Sequence, residues 1–405
     1  MKASNQLVIF PQNYPHKGGD QVFVANEIVT LSLHFKKITI IHFRNLETPK
    51  IEVPRNVEIK YLTQDNFKPK LIGVIDIVLI KILLSELKRT SFKVWLKYFR
   101  YYVSSFLSAK AKIKTLIQNN LFQPSSKYYS FWMNENSFLL AICKKRKLID
   151  NFFFRLHGFD LYDEIRPDKY IPFRDFNFSQ VTKAFTVSKY GLNYLKPKLK
   201  NPNKLENSYL GTFDKGFNPF DSKENILVSC SSINKQKRVN LIADALCEIK
   251  DIKIRWIHIG DKGDWGTYID LEKYAKRKLP SNVSFKAKGY MSNKDILNFY
   301  RTSSISAFVH LSETEGGPSI ACIEAISFGI PLIAAPNGGL RETINPKTGI
   351  VLEKTISKQY VAIAIKNILS EKYQNIRFRS GIKKYWNNTF EAERNNLNFI
   401  QKIKN

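Results

Sequence analysis

At 405 residues, 43% of them hydrophobic, the chain has the length of two domains of roughly 200 residues each and enough apolar content to exclude a disordered protein. Its four cysteines fall in no CxxC or Cys/His spacing, which argues against a disulfide framework or a zinc site and fits a reducing cytoplasm. The net charge of +29 points to an anionic partner, such as a membrane surface, a nucleic acid or a phosphorylated substrate, and charge alone does not choose among these.

Residues 7–10 form an apolar run too short for a signal sequence, with no small-residue cleavage site, and read as a buried first strand. An apolar-periodic stretch at 22–35 and a second apolar run at 38–42 follow, giving strand, helix and strand, a βαβ opening. The turn between the first strand and the helix carries Gly18 and Gly19, where a flexible backbone suits contact with a phosphate or another substrate group.

A basic helical insertion is expected at about 68–130. Between Glu86 and Glu135 there is no acidic residue but nine basic ones. At helical spacing Lys93, Lys97 and Arg100 share one face, and Trp95, Tyr98, Phe99 and Tyr102 share another. That pattern suits either a helix resting on an anionic bilayer, through 88–114, or a solvated face on a helix packed against the sheet. Residues 71–84 are strongly apolar, yet at 14 residues with Asp76 and Lys81 they fall short of the roughly 20 needed to span a bilayer.

Further along, Arg155-Leu156-His157-Gly158-Phe159-Asp160 follows an aromatic strand and presents His157 and Asp160 near its end. The segment 186–191 reads as another strand-to-helix turn. Residues 201–203 and 212–223, rich in Gly, Asn, Pro and Asp, read as an interdomain linker. Short apolar runs at 226–230, 254–260, 283–286, 306–310, 331–335 and 349–352 then alternate with helical stretches, which implies a second parallel, doubly wound sheet. The expected fold is α/β with two Rossmann-like domains: 1–212, then 213–375, then a helical stretch at 376–405 crossing back onto the first domain through Trp386 and Phe390.

The richest stretch is 312–339, SETEGGPSIACIEAISFGIPLIAAPNGG. A strand runs into a tight turn at Glu315-Gly316-Gly317-Pro318, and a helix begins at Ser319. Free N–H groups and the dipole at that helix start suit a diphosphate. Glu324, further along the helix, is placed to accept hydrogen bonds from ribose hydroxyls, and Glu315 to meet a sugar. In SCSSINKQKRVNLI, residues 229–242, Lys237 and Arg238 supply cationic charge where a diphosphate leaving group needs it. Gly289, Tyr290 and Met291 follow a strand at a glycine that lets backbone approach a flat ligand.

These motifs resemble the glutamate-pair signature of retaining family-4 glycosyltransferases, and RxHGxD at 155–160 resembles bacterial capsule and exopolysaccharide glycosyltransferases. The sequence departs from the family in having eight residues between Glu315 and Glu324 instead of seven, and Ser232 where an arginine commonly stands five residues before the lysine.

The resemblance implies a GT-B fold with a donor cleft between the domains, and transfer of a hexose from a UDP- or GDP-sugar to a lipid-linked or surface-polysaccharide acceptor with retention. Glu315, Lys237 and His157 are implied as catalytic. Glu324, Gly316, Gly317, Pro318, Ser319, Arg238, Gly289, Tyr290, Met291, Gly18 and Gly19 are implied on the donor, and His157 with Asp160 on the acceptor side. No DxD motif occurs, so no metal or other cofactor is expected; the helix start and Lys237 take that role. A catalytically degenerate protein that binds glycan or nucleotide-sugar for a partner enzyme is the alternative. Nucleic acid is not an expected partner, because the basic segment carries no RNA- or DNA-binding signature. The expected location is cytoplasmic, at the inner membrane face where the basic segment makes contact.

Overall fold

The computed structural model describes residues 6–46, 50–63, 76–123, 125–221, 224–261, 269–353 and 355–404. The first residues of the expected insertion, through 75, and positions 222 and 223 of the expected linker lie outside these. The chain forms two compact units, Met1–Leu210 with Arg394–Asn405, and Gly211–Glu393.

The first unit is a seven-stranded sheet of β1 (Gln6–Phe10), β2 (Lys37–His42), β3 (Val57–Tyr61), β4 (Lys127–Ser130), β5 (Asn151–Leu156), β6 (Lys183–Thr186) and β7 (Leu205–Asn207). Their order is β3-β2-β1-β4-β5-β6-β7, and every pairing is parallel. Parallel strands need crossovers; apart from the connection of β2 to β3, helices supply them: α1 (Gln21–His34), α2 (Ile77–Leu87), α3 (Phe92–Gln118), α4 (Glu135–Lys145), α5 (Arg174–Gln180) and α6 (Lys189–Leu195). Strands covered on both faces read as continuous apolar runs; Leu7, Ile9, Ile38, Ile40 and Phe153 are all within 2% of full burial.

One buried cation ties this unit together. Arg155 on β5 pairs with Glu27 of α1, donates from Nε to Tyr129 on β4 at 2.8 Å and from Nη1 to the Ser208 carbonyl at 2.7 Å. Its guanidinium lies 4.2 Å from the ring centroid of Phe399.

The second unit repeats the plan with β8 (Ile226–Cys230), β9 (Ile254–Ile259), β10 (Val283–Ala287), β11 (Ala307–His310), β12 (Leu332–Ala334) and β13 (Gly349–Val351), in the order β10-β9-β8-β11-β12-β13, again all parallel. Helices α7 (Val239–Leu246), α8 (Leu271–Lys278), α9 (Asn293–Thr302) and α10 (Ile320–Ser327) are its crossovers, a short 3-10 turn at Gly338–Glu342 joins β12 to β13, and α11 (Lys358–Ile368) follows the last strand. In each sheet the strand order reverses once, at β1/β4 and at β8/β11. Such switch points leave a crevice beyond the strand C-termini, where doubly wound sheets bind ligands.

The final stretch differs from the single crossover expected from sequence. It is two helices, α12 (Ile376–Phe390) and α13 (Ala392–Lys404), because Glu391 is extended and bridges Thr212 in parallel. Helix α12 stays in the second unit, where Trp386 donates to Thr212 Oγ1 at 2.9 Å. Trp386 and Phe390 are fully buried in a part of the chain that belongs to the second unit, whereas from sequence they are expected as anchors on the first. That role falls to Phe399, Ile400 and Ile403 of α13, which join the core beside β1.

The basic segment is also sorted differently. Tyr102 is buried, and Trp95 and Tyr98 pack against the core; the Trp95 indole donates to the Leu83 carbonyl at 3.0 Å. These aromatics therefore serve the interior, and Lys97, Lys110 and Lys112 are ion-paired to Asp168, Asp76 and Glu135. Among the described residues no helix is long and apolar enough to cross a membrane.

Removing one member of a buried ion pair leaves the other charge uncompensated, at a cost of about 3–5 kcal/mol. Glu27→Ala is therefore expected to lower the denaturant midpoint of the first unit strongly. A loss under about 1 kcal/mol would show that Tyr129 and Ser208 suffice to hold Arg155.

Candidate functional site

The loop after β8 and the loop after β11 meet at the switch point of the second sheet. Gln236 donates to the Thr314 carbonyl and hydroxyl, each at 2.8 Å, and Glu313 N–H donates to the Gln236 carbonyl at 2.9 Å. Arg238, in the left-handed region with φ 48°, donates from Nε to the Leu311 carbonyl at 2.7 Å. Its Nη2 is buried without a hydrogen-bond partner. This arginine is thus partly a brace between loops, with one donor left over.

At the junction, Lys237 Nζ lies 2.5 Å from Glu315 Oε1, and His310 Nε2 lies 2.8 Å from the same oxygen. The Glu315 side chain is 14% exposed. Burial pushes its pKa up, but the Lys237 charge and the His310 hydrogen bond outweigh burial and hold it at about 2. Glu315 is therefore a carboxylate throughout the physiological range. His310, the last residue of β11, was not singled out from the sequence. The signal available was its place at the C-terminal end of a central parallel strand.

Backbone packing fixes the turn that carries Glu315. Gly338 has φ +56°, and a Cβ there would sit 2.0 Å from the Glu315 carbonyl oxygen; one on Gly339 would sit 2.6 Å from the Gly317 Cα. Gly339 N–H also donates to that carbonyl at 3.2 Å, and Asn337 Nδ2 donates to the Ser312 carbonyl at 3.0 Å. The glycine pair thus lets the second loop lie directly on the turn of the first.

Past Gly316, Gly317 and Pro318, all partly exposed, Ser319 opens α10 without a side-chain cap. The first N–H groups of that helix therefore need an external acceptor, and the helix dipole favours an anionic one. Glu324 lies on the same helix at 4% exposure, accepting from Asn293 Nδ2 at 2.6 Å. Burial, opposed only by that hydrogen bond, lifts its pKa to about 7. The two glutamates are thus in opposite states: one a fixed anion, the other poised between acid and carboxylate at neutral pH.

Gly289, with φ +63°, ends the β10 loop, and its carbonyl accepts from Gly260 N–H at 2.8 Å. A cleft of about 650 Å³ is lined by Ile233, Gly260, Asp261, Leu271, Lys288 and Gly289 among others. Tyr290, exposed, and Met291 line a neighbouring hollow of about 650 Å³ with Lys286 and Lys288. The Ser232 hydroxyl accepts a hydrogen bond from Asn234 Nδ2, at 3.2 Å.

The remaining sequence-derived residues belong to the first unit. Gly18 and Gly19 lie in the loop after β1, which is cinched by the buried Asp20 carboxylate accepting from Gln12, Asn13 and Tyr14 N–H. Asp160, implied on the acceptor side, lies near the end of β5 and is turned inward. It is 1% exposed and accepts from His157 and Met133 N–H at 2.7 and 3.1 Å, so it holds the loop after β5. His157 packs at a tilt against Trp132, ring centroids 4.0 Å apart, and neither of its ring nitrogens has a hydrogen-bond partner. Among the described residues no group of three or more His, Cys, Asp or Glu could hold a metal ion.

Residues 212–385 match the family of glycosyl transferases group 1. A stretch of 85 residues, 19% of this chain and 22% of the relative, is 34% identical to a GDP-mannose-dependent monoacylated alpha-(1-6)-phosphatidylinositol monomannoside mannosyltransferase of Corynebacterium glutamicum. Among solved structures, sucrose-phosphate synthase from Thermosynechococcus elongatus is similar with a TM-score of 0.70 and 14% identity, over 98% of both chains. The lipopolysaccharide outer core galactosyltransferase WaaB is similar with a TM-score of 0.68 and 14% identity, over 98% of this chain and 99% of the other. The Anabaena protein HepE, solved with UDP-glucose, gives 0.62 and 12% over 98% of both.

Glu324 makes a testable contribution to stability. Its folded pKa lies above the ordinary 4.5, so the folded protein holds a proton that the unfolded chain has released. Stability is full below about pH 4.5 and falls as pH rises through about 7, by about 3 kcal/mol. Glu324→Gln is expected to remove this slope and raise the melting temperature at pH 8 relative to wild type, with little change at pH 4.5. Parallel pH profiles for the two proteins would refute the shifted pKa.

Proposed function

We propose that this chain, a protein of the GT-B fold whose residues 212–385 form a glycosyl transferases group 1 domain, is a retaining hexosyltransferase. It moves a sugar from a UDP- or GDP-sugar onto a lipid-linked or surface-polysaccharide acceptor. The observation that carries the proposal is the Lys237, Glu315 and His310 cluster beside the uncapped start of α10, with a buried carboxyl group on the same helix.

In this reading the donor diphosphate takes the free N–H groups at Ile320 and beyond, with Lys237 balancing its charge. No metal is needed there, because helix start and lysine together neutralise the leaving group. Glu324 accepts from the ribose hydroxyls and the backbone around Gly289 meets the base. Glu315 faces the sugar. As the anomeric C–O bond breaks, the nucleoside diphosphate leaves with the bonding electrons, and the acceptor hydroxyl attacks on the same face. Its proton passes to a phosphate oxygen of the leaving group, which preserves the anomeric configuration. His157, whose ring nitrogens have no hydrogen-bond partner, is assigned to the acceptor side.

The Lys237 charge is already matched by Glu315, and Ser232 brings no second cation. These two facts favour, as a second reading, a degenerate protein that binds a nucleotide-sugar or glycan without transferring it. Donor binding with neither hydrolysis nor transfer would support it.

Ligand that binds only the folded state stabilises by about 2.7 kcal/mol at a hundredfold excess over Kd. A rise in melting temperature of several degrees is thus expected with one nucleotide family among a panel of UDP- and GDP-sugars, lost in Lys237→Ala and Glu324→Ala. No shift with any nucleotide would refute donor binding. In a transfer assay Glu315→Gln is expected to lower kcat by about a hundredfold, in the range of a lost electrostatic contact to the reacting centre; an unchanged kcat would remove Glu315 from the chemistry.

A further inference from the structure

The first unit carries an apolar surface that its own fold leaves uncovered. Ile77, Ile80 and Leu84 on α2 are 67%, 44% and 54% exposed, and Phe92, Leu96 and Phe99 on α3 are 66%, 58% and 37% exposed. The first three fall at i, i+3 and i+7 and the second three at i, i+4 and i+7, so each set is one stripe along its helix. On α2 the opposite stripe, with Leu79 and Ile82, is the buried one; on α3 the exposed stripe belongs to the start of the helix, and the same side turns inward further along, where Tyr102 and Phe106 are buried. The two helices are joined by four residues and stapled by the Trp95 indole on the Leu83 carbonyl. Trp95 also packs on Phe92 and Phe99, with ring centroids 6.0 and 5.2 Å away, which makes the α3 stripe continuous.

The charge around these stripes has one sign. Lys81, Lys88, Lys93 and Arg100 are exposed on the same two helices, and none of them is in an ion pair among the described residues. The one acid on either helix, Glu86, is fully buried against Arg89 and Tyr170. Exposed apolar area ringed by unpaired cations matches an interfacial helix pair, in which apolar side chains enter the acyl boundary and lysines meet anionic headgroups. A second copy of this chain would bring the same cations, and like charge disfavours that contact.

We propose that the outer face of α2 and the start of α3 is a docking surface for an anionic lipid bilayer, with the protein lying on the membrane and not crossing it. This surface overlaps only in part with the one expected from sequence: Phe99, Lys93 and Arg100 belong to both, whereas Tyr98 and Tyr102 pack on the core and the α2 stripe is added. The inference stands apart from the donor site, which belongs to the other unit.

The test is co-sedimentation of the full chain with phosphatidylcholine vesicles, with and without 30% phosphatidylglycerol (about one lipid in three carrying charge). Binding is expected only to the charged vesicles, weakening at least tenfold in half-molar salt. Leu84→Ser with Leu96→Ser, both at exposed positions, is expected to weaken binding tenfold or more, as is Lys88→Gln with Lys93→Gln and Arg100→Gln. The nucleotide-induced rise in melting temperature is expected to survive in both variants, which separates loss of docking from loss of the donor site or of the fold. Absence of binding to the charged vesicles would overturn the proposal. So would binding indifferent to the leucine substitutions, which would reduce the contact to charge alone, or a concentration-dependent dimer abolished by them, which would assign the face to a second copy.

Discussion

A carboxylate cannot stay ionised out of water without a counter-charge, and the second unit is arranged around that constraint. Glu315 is nearly enclosed, and its charge is held by one lysine from the loop after β8 and one histidine from the end of β11. Because those groups come from strands on either side of the switch point, the ion pair also fixes how the two loops sit on each other. The Gln236 contacts to Thr314 and the Arg238 brace on Leu311 are additional ties across the same seam. The Gly338 and Gly339 backbone closes it from the third side.

Glu324 shows the reverse outcome from the same cause. It is enclosed, but its described partner is a neutral amide, so burial raises its pKa instead of being overcome. Nine positions along one turn and helix thus separate an obligate anion from a group that titrates near neutrality. An enclosed carboxyl group with little charge compensation retains acceptor capacity for a ligand's hydroxyl groups, whereas Glu315 has much of one oxygen occupied by Lys237 and His310. This difference in vacancy, more than the number of residues between the two glutamates, distinguishes their chemistry.

In the first unit the buried polar groups divide in the same way between framework and opportunity. Arg155 and Asp160 satisfy neighbouring backbone and side chains and so belong to the framework. His157, clamped between aromatic rings with no hydrogen-bond partner on its ring nitrogens, is the group in that loop with unused hydrogen-bonding capacity. The nine basic residues of the 86–135 segment likewise separate into those neutralised by distant acids, such as Lys97 by Asp168, and those left bare beside exposed apolar stripes.

The sequence by itself determined the alternation of short apolar strands with helices, hence two parallel doubly wound sheets, because strands covered on both faces must be apolar throughout and parallel neighbours require crossovers. It also marked Lys237, Glu315 and Glu324, since glycines and proline beside an acid at a strand end are poorly explained by packing alone. Only the tertiary structure decided that Lys237 and Glu315 touch, that His310 joins them, and that Asp160 faces inward. These are contacts between residues far apart in the chain, or matters of which way a loop turns, and neither leaves a local periodicity. The same reason applies to α3 and the C-terminal helices. An aromatic stripe at helical spacing reads alike whether it meets a core or a bilayer, and the break at Glu391 comes from its pairing with Thr212, which lies far upstream in the chain.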